Sequence, residues 1–498
     1  MLFNSITFAF FLLIVFIIYW AIGYARVKAP QKLLIQNAFV IIASYVFYGW
    51  WDWRFLLLIA FTSLCSWGSG ILIGIASSQS KAKAWMIANI VLNLAVLGAF
   101  KYYNFFAESF CQLFGLSYDG LLINIILPVG ISFYTFQALS YSIDVYRKKM
   151  EPTKDIVAFF AFISFFPQLV AGPIERATNL LPQFRKNRTF NYLQAVDGMR
   201  QILWGLFKKM VIADNCATYV DHVWATYSTQ TGSTLLLAAV LFTFQIYGDF
   251  SGYSDIAIGT AKLFGFRLMR NFNNPYFSRD IAEFWRRWHI SLTTWFRDYV
   301  YIPLGGSRPN IPINVRNPER YRRWIVVRNT FVIFLVSGFW HGANWTFIAW
   351  GAFHALLFLP LILLGKNRKY TNQIAEERLL PTCREIVQMF LTFMLVVIGW
   401  IIFRAKTIAQ AWEFINDICT QGLFNQPYLQ DLRHAGPLAL GIVILIAVEW
   451  WNRAENHGLA INKTISLQWV RRAVYVGLTM YILYFGKFDY NQFIYFQF

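Results

Sequence analysis

His341 stands inside the apolar run Phe331-Val-Ile-Phe-Leu-Val-Ser-Gly-Phe-Trp-His-Gly-Ala-Asn-Trp345. An ionisable side chain in such a run is costly in a bilayer and marks a functional site by default. A neutral imidazole there can take a proton from a hydroxyl, because its ordinary pKa, about 6.5, lies near working pH and burial favours the free base. Gly338, Gly342 and Asn344 predict a helix broken where the histidine sits. His289 is the second candidate, in Phe284-Trp-Arg-Arg-Trp-His-Ile-Ser-Leu-Thr293. The segment 278–300 opens on Ser278 as a cap and carries apolar residues at 284, 288, 292, 295 and 299, so it reads as one interfacial amphipathic helix with His289 at the edge of its buried stripe. A histidine so placed either meets substrate or only bonds a backbone carbonyl. His354 has no glycine break after it and reads as a core histidine.

Other polar groups gather in Gln245-Ile-Tyr-Gly-Asp-Phe-Ser-Gly-Tyr-Ser-Asp255 and in the stretch from Phe165 to Arg176, where glycines and prolines let the backbone turn. Asp249 and Asp255 either orient an imidazole or bind substrate hydroxyls, or they bond helix to helix. Together with Tyr253, Trp285, Arg297 and Asn344 they form the expected substrate-contacting set. Nine arginines between 286 and 328 face only Glu283, Asp298 and Glu319. A guanidinium cluster suits phosphate, which makes Arg286 and Arg287 the expected contacts to a phosphorylated donor; a solvated loop at anionic headgroups is the alternative. The five cysteines, at 65, 111, 216, 383 and 419, have no metal-ligand spacing, and no zinc motif, phosphate loop or nucleophile elbow is present. No metal is expected.

These residues need a membrane to hold them. Hydrophobic residues make up 57% of the 498 and charged ones 14%, with a mean hydropathy of +0.44. Apolar runs recur near 3–22, 33–50, 55–76, 84–100, 121–139, 156–170, 233–247, 325–340, 345–364, 387–403, 438–450 and 473–485. A span needs about 20 residues, so an all-α polytopic protein is expected, with about ten to twelve spans plus broken, re-entrant or interfacial helices. The first run has no basic leader and is expected to stay as a helix. Basic residues after the first, third and fifth runs (Arg26, Lys28, Lys32; Lys81, Lys83; Arg147, Lys148, Lys149, Lys154) place those loops in the cytoplasm and the N-terminus outside. In the second half the parity stays open. The net charge of +19 is therefore read as topology signal and anionic-lipid contact, not as a nucleic-acid surface. No repeat or soluble segment divides the chain, and 1–498 reads as a single membrane-embedded domain.

Six motifs carry a resemblance: Phe-Phe-Pro-Gln-Leu-Val-Ala-Gly-Pro-Ile-Glu-Arg (165–176), Asp-Phe-Ser-Gly-Tyr-Ser-Asp (249–255), Phe-Trp-Arg-Arg-Trp-His-Ile-Ser-Leu (284–292), Arg-Asp-Tyr-Val-Tyr-Ile-Pro-Leu-Gly-Gly (297–306), Phe-Trp-His-Gly-Ala-Asn-Trp (339–345) and Asn-Gln-Phe-Ile-Tyr-Phe-Gln-Phe (491–498). Over nearly its whole length the chain resembles the membrane-bound O-acyltransferase family, in its bacterial alginate and peptidoglycan O-acetyltransferase-like branch. The resemblance implies a ring of helices around a central tunnel in the bacterial inner membrane. His341 matches the family's near-invariant histidine and His289 its second polar position. It further implies a cytoplasmic thioester donor, acetyl-CoA or a phosphopantetheinyl carrier protein, with no permanently bound cofactor. An extracytoplasmic SGNH-like acetyltransferase is the implied partner. In that reading His341 is the base, and His289, Asn344 or a nearby hydroxyl donates a hydrogen bond to the thioester oxygen, with an acyl-histidine relay as the variant. The Pro-Leu-Gly-Gly and terminal stretches look closer to polysaccharide acetylation than to D-alanyl transfer. A transporter of an anionic lipid-linked sugar and a scaffolding subunit are the rival classes.

Overall fold

The computed structural model describes residues 1–117, 120–170, 172–307, 311, 317–429, 435–488 and 493. Arg308 and Arg316 of the arginine cluster, Ala171, and all of the terminal motif but Phe493 lie outside the described residues. The described chain is helical, with no strand, and packs into two compact units: 1–202 with 256–269, and 203–255 with 270–498.

The first unit holds α1 (Ile6–Tyr24), α2 (Ala29–Gly49), α3 (Phe55–Gly74), α4 (Gln79–Lys101), α5 (Tyr103–Phe114), α6 (Ile131–Tyr146), α7 (Ile156–Ser164), α8 (Phe166–Leu169), α9 (Ala177–Phe184) and most of α10 (Tyr192–Leu206). Ser5, Ser78 and Asp155 cap α1, α4 and α7 by accepting from backbone N–H groups. Inside this unit Asn89 donates to Ser142 at 2.6 Å, and the Ser66 hydroxyl donates to the Asn89 side-chain oxygen at 3.2 Å. Such side-chain bonds join helices where burial of apolar surface supplies little attraction.

The second unit holds α11 (Asp214–Ala225), most of α12 (Gly232–Leu263), α13 (Ile281–Arg287), α14 (Ile290–Phe296), α15 (Pro318–His341), α16 (Trp345–Leu363), α17 (Cys383–Arg404), α18 (Ile408–Thr420), α19 (Ala435–Trp451) and α20 (Gln468–Phe485). Two π-helical segments, Phe207–Ala213 and Arg297–Tyr301, interrupt it. Helices α15 and α16 form a tight hairpin through residues 342–344. A Cβ on Gly338 would fall on the Phe347 carbonyl oxygen, and one on Gly351 on that of Phe334. Gly338 therefore does not break α15, which runs on to His341. It is the point where the partner helix comes closest.

Eight helices are long and apolar enough to cross a membrane: α1 to α4, α12, α15, α16 and α17. The protein is a polytopic membrane protein, and the count of spans meeting that standard among the described residues is eight, below the expected ten to twelve. The shortfall has local causes. The run at 121–139 begins helix only at Ile131, and the run at 156–170 splits into α7 and α8 where Pro167 follows Phe165 and Phe166. Helix α19 has 17 residues, and α20 carries Arg471 and Arg472.

Candidate active site

The segment expected to be one helix over 278–300 is two. Asp280, not Ser278, caps α13, its side chain accepting from Glu283 N. After Trp288 the chain turns through His289 at φ +44, a left-handed conformation that histidine tolerates better than bulkier or β-branched residues do. The kink takes His289 from the edge of a stripe into the interior, where it is 1% exposed. Its Nδ1 lies 3.0 Å from Oδ1 of Asn271, and the Ser291 hydroxyl donates to that oxygen at 2.8 Å. Ile290 N donates to the Asn271 carbonyl at 2.8 Å, and Asn271 Nδ2 to Ser254 Oγ at 3.0 Å. His289 Nε2 has no hydrogen-bond partner among the described residues. The ring sits against Phe250 at 4.6 Å, Phe272 at 6.3 Å and Trp340 at 6.1 Å. Burial pushes its pKa down to about 3, so it is neutral.

His341 ends α15 and is 6% exposed. Rings of Trp340, Trp350 and Phe403 stand 5.0, 5.1 and 5.4 Å from it. Trp340 thus contacts both imidazoles. Phe493, fully buried, packs on Phe250 at 5.8 Å and Tyr253 at 4.9 Å, which brings one residue of the terminal motif beside His289. Trp285 is part of the aromatic wall, its indole N–H donating to His354 Nδ1 at 3.4 Å and its ring edge-on to Trp350. His354 is a core histidine, as its sequence context predicts, and Gly399 lets α17 approach its Nε2.

Four of the expected substrate contacts are committed elsewhere. Asn344 caps α16, with Oδ1 accepting from Thr346 N at 3.0 Å and Nδ2 donating to the Lys406 carbonyl at 3.0 Å. Asp249 pairs with Lys209 at 2.7 Å, and Asp255 with Lys208 at 2.5 Å. Both lysines lie on the π-helical segment at 207–213, and Lys209 also holds Asp214 at 2.9 Å. Buried charges survive only when paired in this way. Arg297 is exposed and pairs with its neighbour Asp298 at 2.7 Å. Tyr253, by contrast, is buried beside Phe493.

Arg286 and Arg287 do come together, with two arginines that the local sequence did not single out. They line a cavity of about 320 Å³ with Arg270, Arg453, Glu283 and Tyr370. Arg286 donates to the carbonyls of Asn367 and Tyr370, and Arg287 binds Glu283 at 2.8 Å. Arg453 is held by the carbonyls of Ile374, Ala375 and Arg378. Such bonds lock guanidinium groups whose positive charge still faces the cavity. Asn271, Ser254 and Ser291 also escaped the sequence reading. Asn271 lies in the polar turn Arg270-Asn-Phe-Asn-Asn-Pro275, which signals a bend but not a partner 18 residues away.

A polytopic helical protein with two buried imidazoles against a shared tryptophan, and a basic cavity in the same unit, has the makings of a membrane-embedded group-transfer enzyme. Residues 152–398 match the model of the MBOAT, membrane-bound O-acyltransferase family. The chain is 40% identical to the probable alginate O-acetylase AlgI of Pseudomonas aeruginosa over 90% of its length and 79% of that protein. It is 37% identical to the corresponding Pseudomonas putida protein over the full length of both. With the peptidoglycan O-acetyltransferase of Helicobacter pylori it shares 33% identity over 83% of this chain and 79% of the other. The chain belongs to the membrane-bound O-acyltransferase family and is an O-acyltransferase.

Proposed function

We propose that the protein moves an acetyl group from cytoplasmic acetyl-CoA, across the bacterial inner membrane, toward hydroxyls of an extracytoplasmic polysaccharide or of a partner transferase. The names of the three relatives above support acetyl over D-alanyl as the group carried. The observation that carries the proposal is His341, an imidazole buried at the end of a spanning helix among Trp340, Trp350 and Phe403. In the reaction His341 takes the proton of the acceptor hydroxyl as its oxygen bonds to the thioester carbonyl carbon. The carbon–sulfur bond then breaks, and the departing thiolate takes the proton back from the imidazolium. The products are an O-acetyl ester and free CoA. Aromatic walls exclude water, which would otherwise hydrolyse the thioester. The cavity of Arg270, Arg286, Arg287 and Arg453 suits the phosphates of the donor.

The test is CoA release from acetyl-CoA by purified protein in lipid vesicles supplied with an acceptor. The His341→Ala variant should insert normally and release CoA at least about 100-fold more slowly, the lower bound for a lost general base. Equal release by variant and parent removes His341 from the chemistry. Movement of a lipid-linked sugar with no CoA release by the parent replaces the enzyme reading with transport.

A further inference from the structure

Asn271 is completely buried, and its side-chain oxygen collects three donors or donor-capable groups: Ser291 N at 3.3 Å, Ser291 Oγ at 2.8 Å and His289 Nδ1 at 3.0 Å. The Ser291 backbone nitrogen can only donate, so the atom facing it is the amide oxygen and not the amide nitrogen. The amide orientation is thereby fixed by the backbone. An oxygen in turn can only accept, so the Nδ1 that faces it carries the hydrogen. A neutral imidazole with hydrogen on Nδ1 has a bare lone pair on Nε2, and Nε2 is the atom left without a partner.

We infer that Asn271 is a positioning residue that locks His289 in the Nδ1–H tautomer, so that His289 meets substrate through Nε2 as a hydrogen-bond acceptor. It cannot then donate to the thioester oxygen, the role that family resemblance suggests for it. The group it receives is an O–H or N–H of a substrate, from a hydroxyl of the acceptor or an amide of the donor's pantetheine arm. Among the described residues the neighbours of the ring are uncharged: Phe250 on α12, Phe272 beside Asn271, Ser291 on α14 and Trp340 on α15. The carboxylates on α12, Asp249 and Asp255, are paired with Lys209 and Lys208. Among the described residues no charged side chain contacts the ring in competition with the amide.

The role in transfer rests on the acyltransferase reading, whereas the tautomer does not, and two measurements keep them apart. The first is nuclear magnetic resonance of the full-length protein in lipid nanodiscs with isotope-labelled histidine nitrogens, the His289 signals being assigned by their loss in His289→Gln. The parent should show hydrogen on Nδ1, and Asn271→Leu a mixture of tautomers. Hydrogen on Nε2 in the parent, or an unchanged tautomer in Asn271→Leu, overturns the lock. The second is the pH profile of CoA release. Asn271→Asp keeps the acceptor oxygen, with Ser254 turning its hydroxyl to donate, and adds a negative charge that favours the imidazolium. Its acid limb should move up by about one pH unit or more, while Asn271→Leu should lose activity by roughly 10- to 100-fold at all pH values, as expected for a lost orienting partner. A raised KM for acetyl-CoA in Asn271→Leu identifies the pantetheine amide as the bound group, and a raised KM for acceptor identifies the hydroxyl. An unchanged acid limb in Asn271→Asp together with full activity in Asn271→Leu overturns the role.

Discussion

Asn271 and Asn344 carry the same side chain and are put to different work. Asn271 is spent on a histidine ring and on Ser254, while both ends of the Asn344 amide are used by backbone, Thr346 N on one side and the Lys406 carbonyl on the other. Asn344 follows the Trp-His-Gly-Ala run directly, and its closeness in sequence to His341 made it a natural guess for a reacting group. Its geometry is that of a helix cap. Asn344→Ser should therefore keep acyl transfer within about threefold of the parent while Asn344→Ala costs about 1 kcal/mol of stability, read as a fall in thermal midpoint with little loss of rate per folded molecule. A loss of rate in both variants at unchanged midpoint would return Asn344 to the chemistry. His341 was legible because one ionisable group in an apolar run needs a reason. Asp249 and Asp255 were legible as costly, but not as paired, since Lys208 and Lys209 approach them only once the segment at 207–213 is wound as a π-helix. Sequence spacing along an ordinary helix does not announce such a turn.

At the scale of helices, apolar runs located most of the elements and misjudged their breaks. The runs near 3–22, 33–50, 55–76, 325–340 and 345–364 correspond closely to α1, α2, α3, α15 and α16. The amphipathic pattern over 278–300 was real, yet periodicity carries no information about the left-handed residue that divides α13 from α14. Glycine was misread in a similar way. Helix α15 does stop at His341, with Gly342 and Asn344 in the break as expected, but Gly338, read as part of that break, is instead the place where α15 touches α16, with the Phe347 carbonyl where a side chain would go. Small residues serve this purpose between membrane helices, where close approach supplies dispersion and not hydrophobic gain. Gly338→Leu should push the hairpin apart, lowering the thermal midpoint by several degrees in detergent and reducing transfer through displacement of His341, one turn away. Gly436→Leu, on α19 with open space around it, is the matched control and should leave both unchanged. If both variants melt alike, close packing at Gly338 does not hold the hairpin.

For the molecule as a whole, the class was readable from composition and the family from ordered motifs, while orientation of the second half was not readable from charge along the sequence. Within the second unit the order of α15, α16 and α17 resolves this. The start of α15, the end of α16 and the start of α17 share one end and bear Arg320, Arg322, Arg323, Lys366, Arg368 and Lys369, against Arg404 and Lys406 at the other. On the positive-inside bias the richer end is expected to face the cytoplasm. Cys383, exposed at the start of α17, should then react with a membrane-impermeant maleimide in inverted vesicles but not in intact cells, in a Cys419→Ser background that removes the other exposed thiol. Labelling in intact cells would reverse the orientation. The twist at position 289 reaches further than this one chain. A backbone held at φ +44 admits glycine, asparagine, aspartate and histidine far more readily than valine, isoleucine or threonine. Conformation thus sieves the side chains available at that point before chemistry chooses among them, and exchange of the imidazole during divergence is steered toward an amide or a carboxyl.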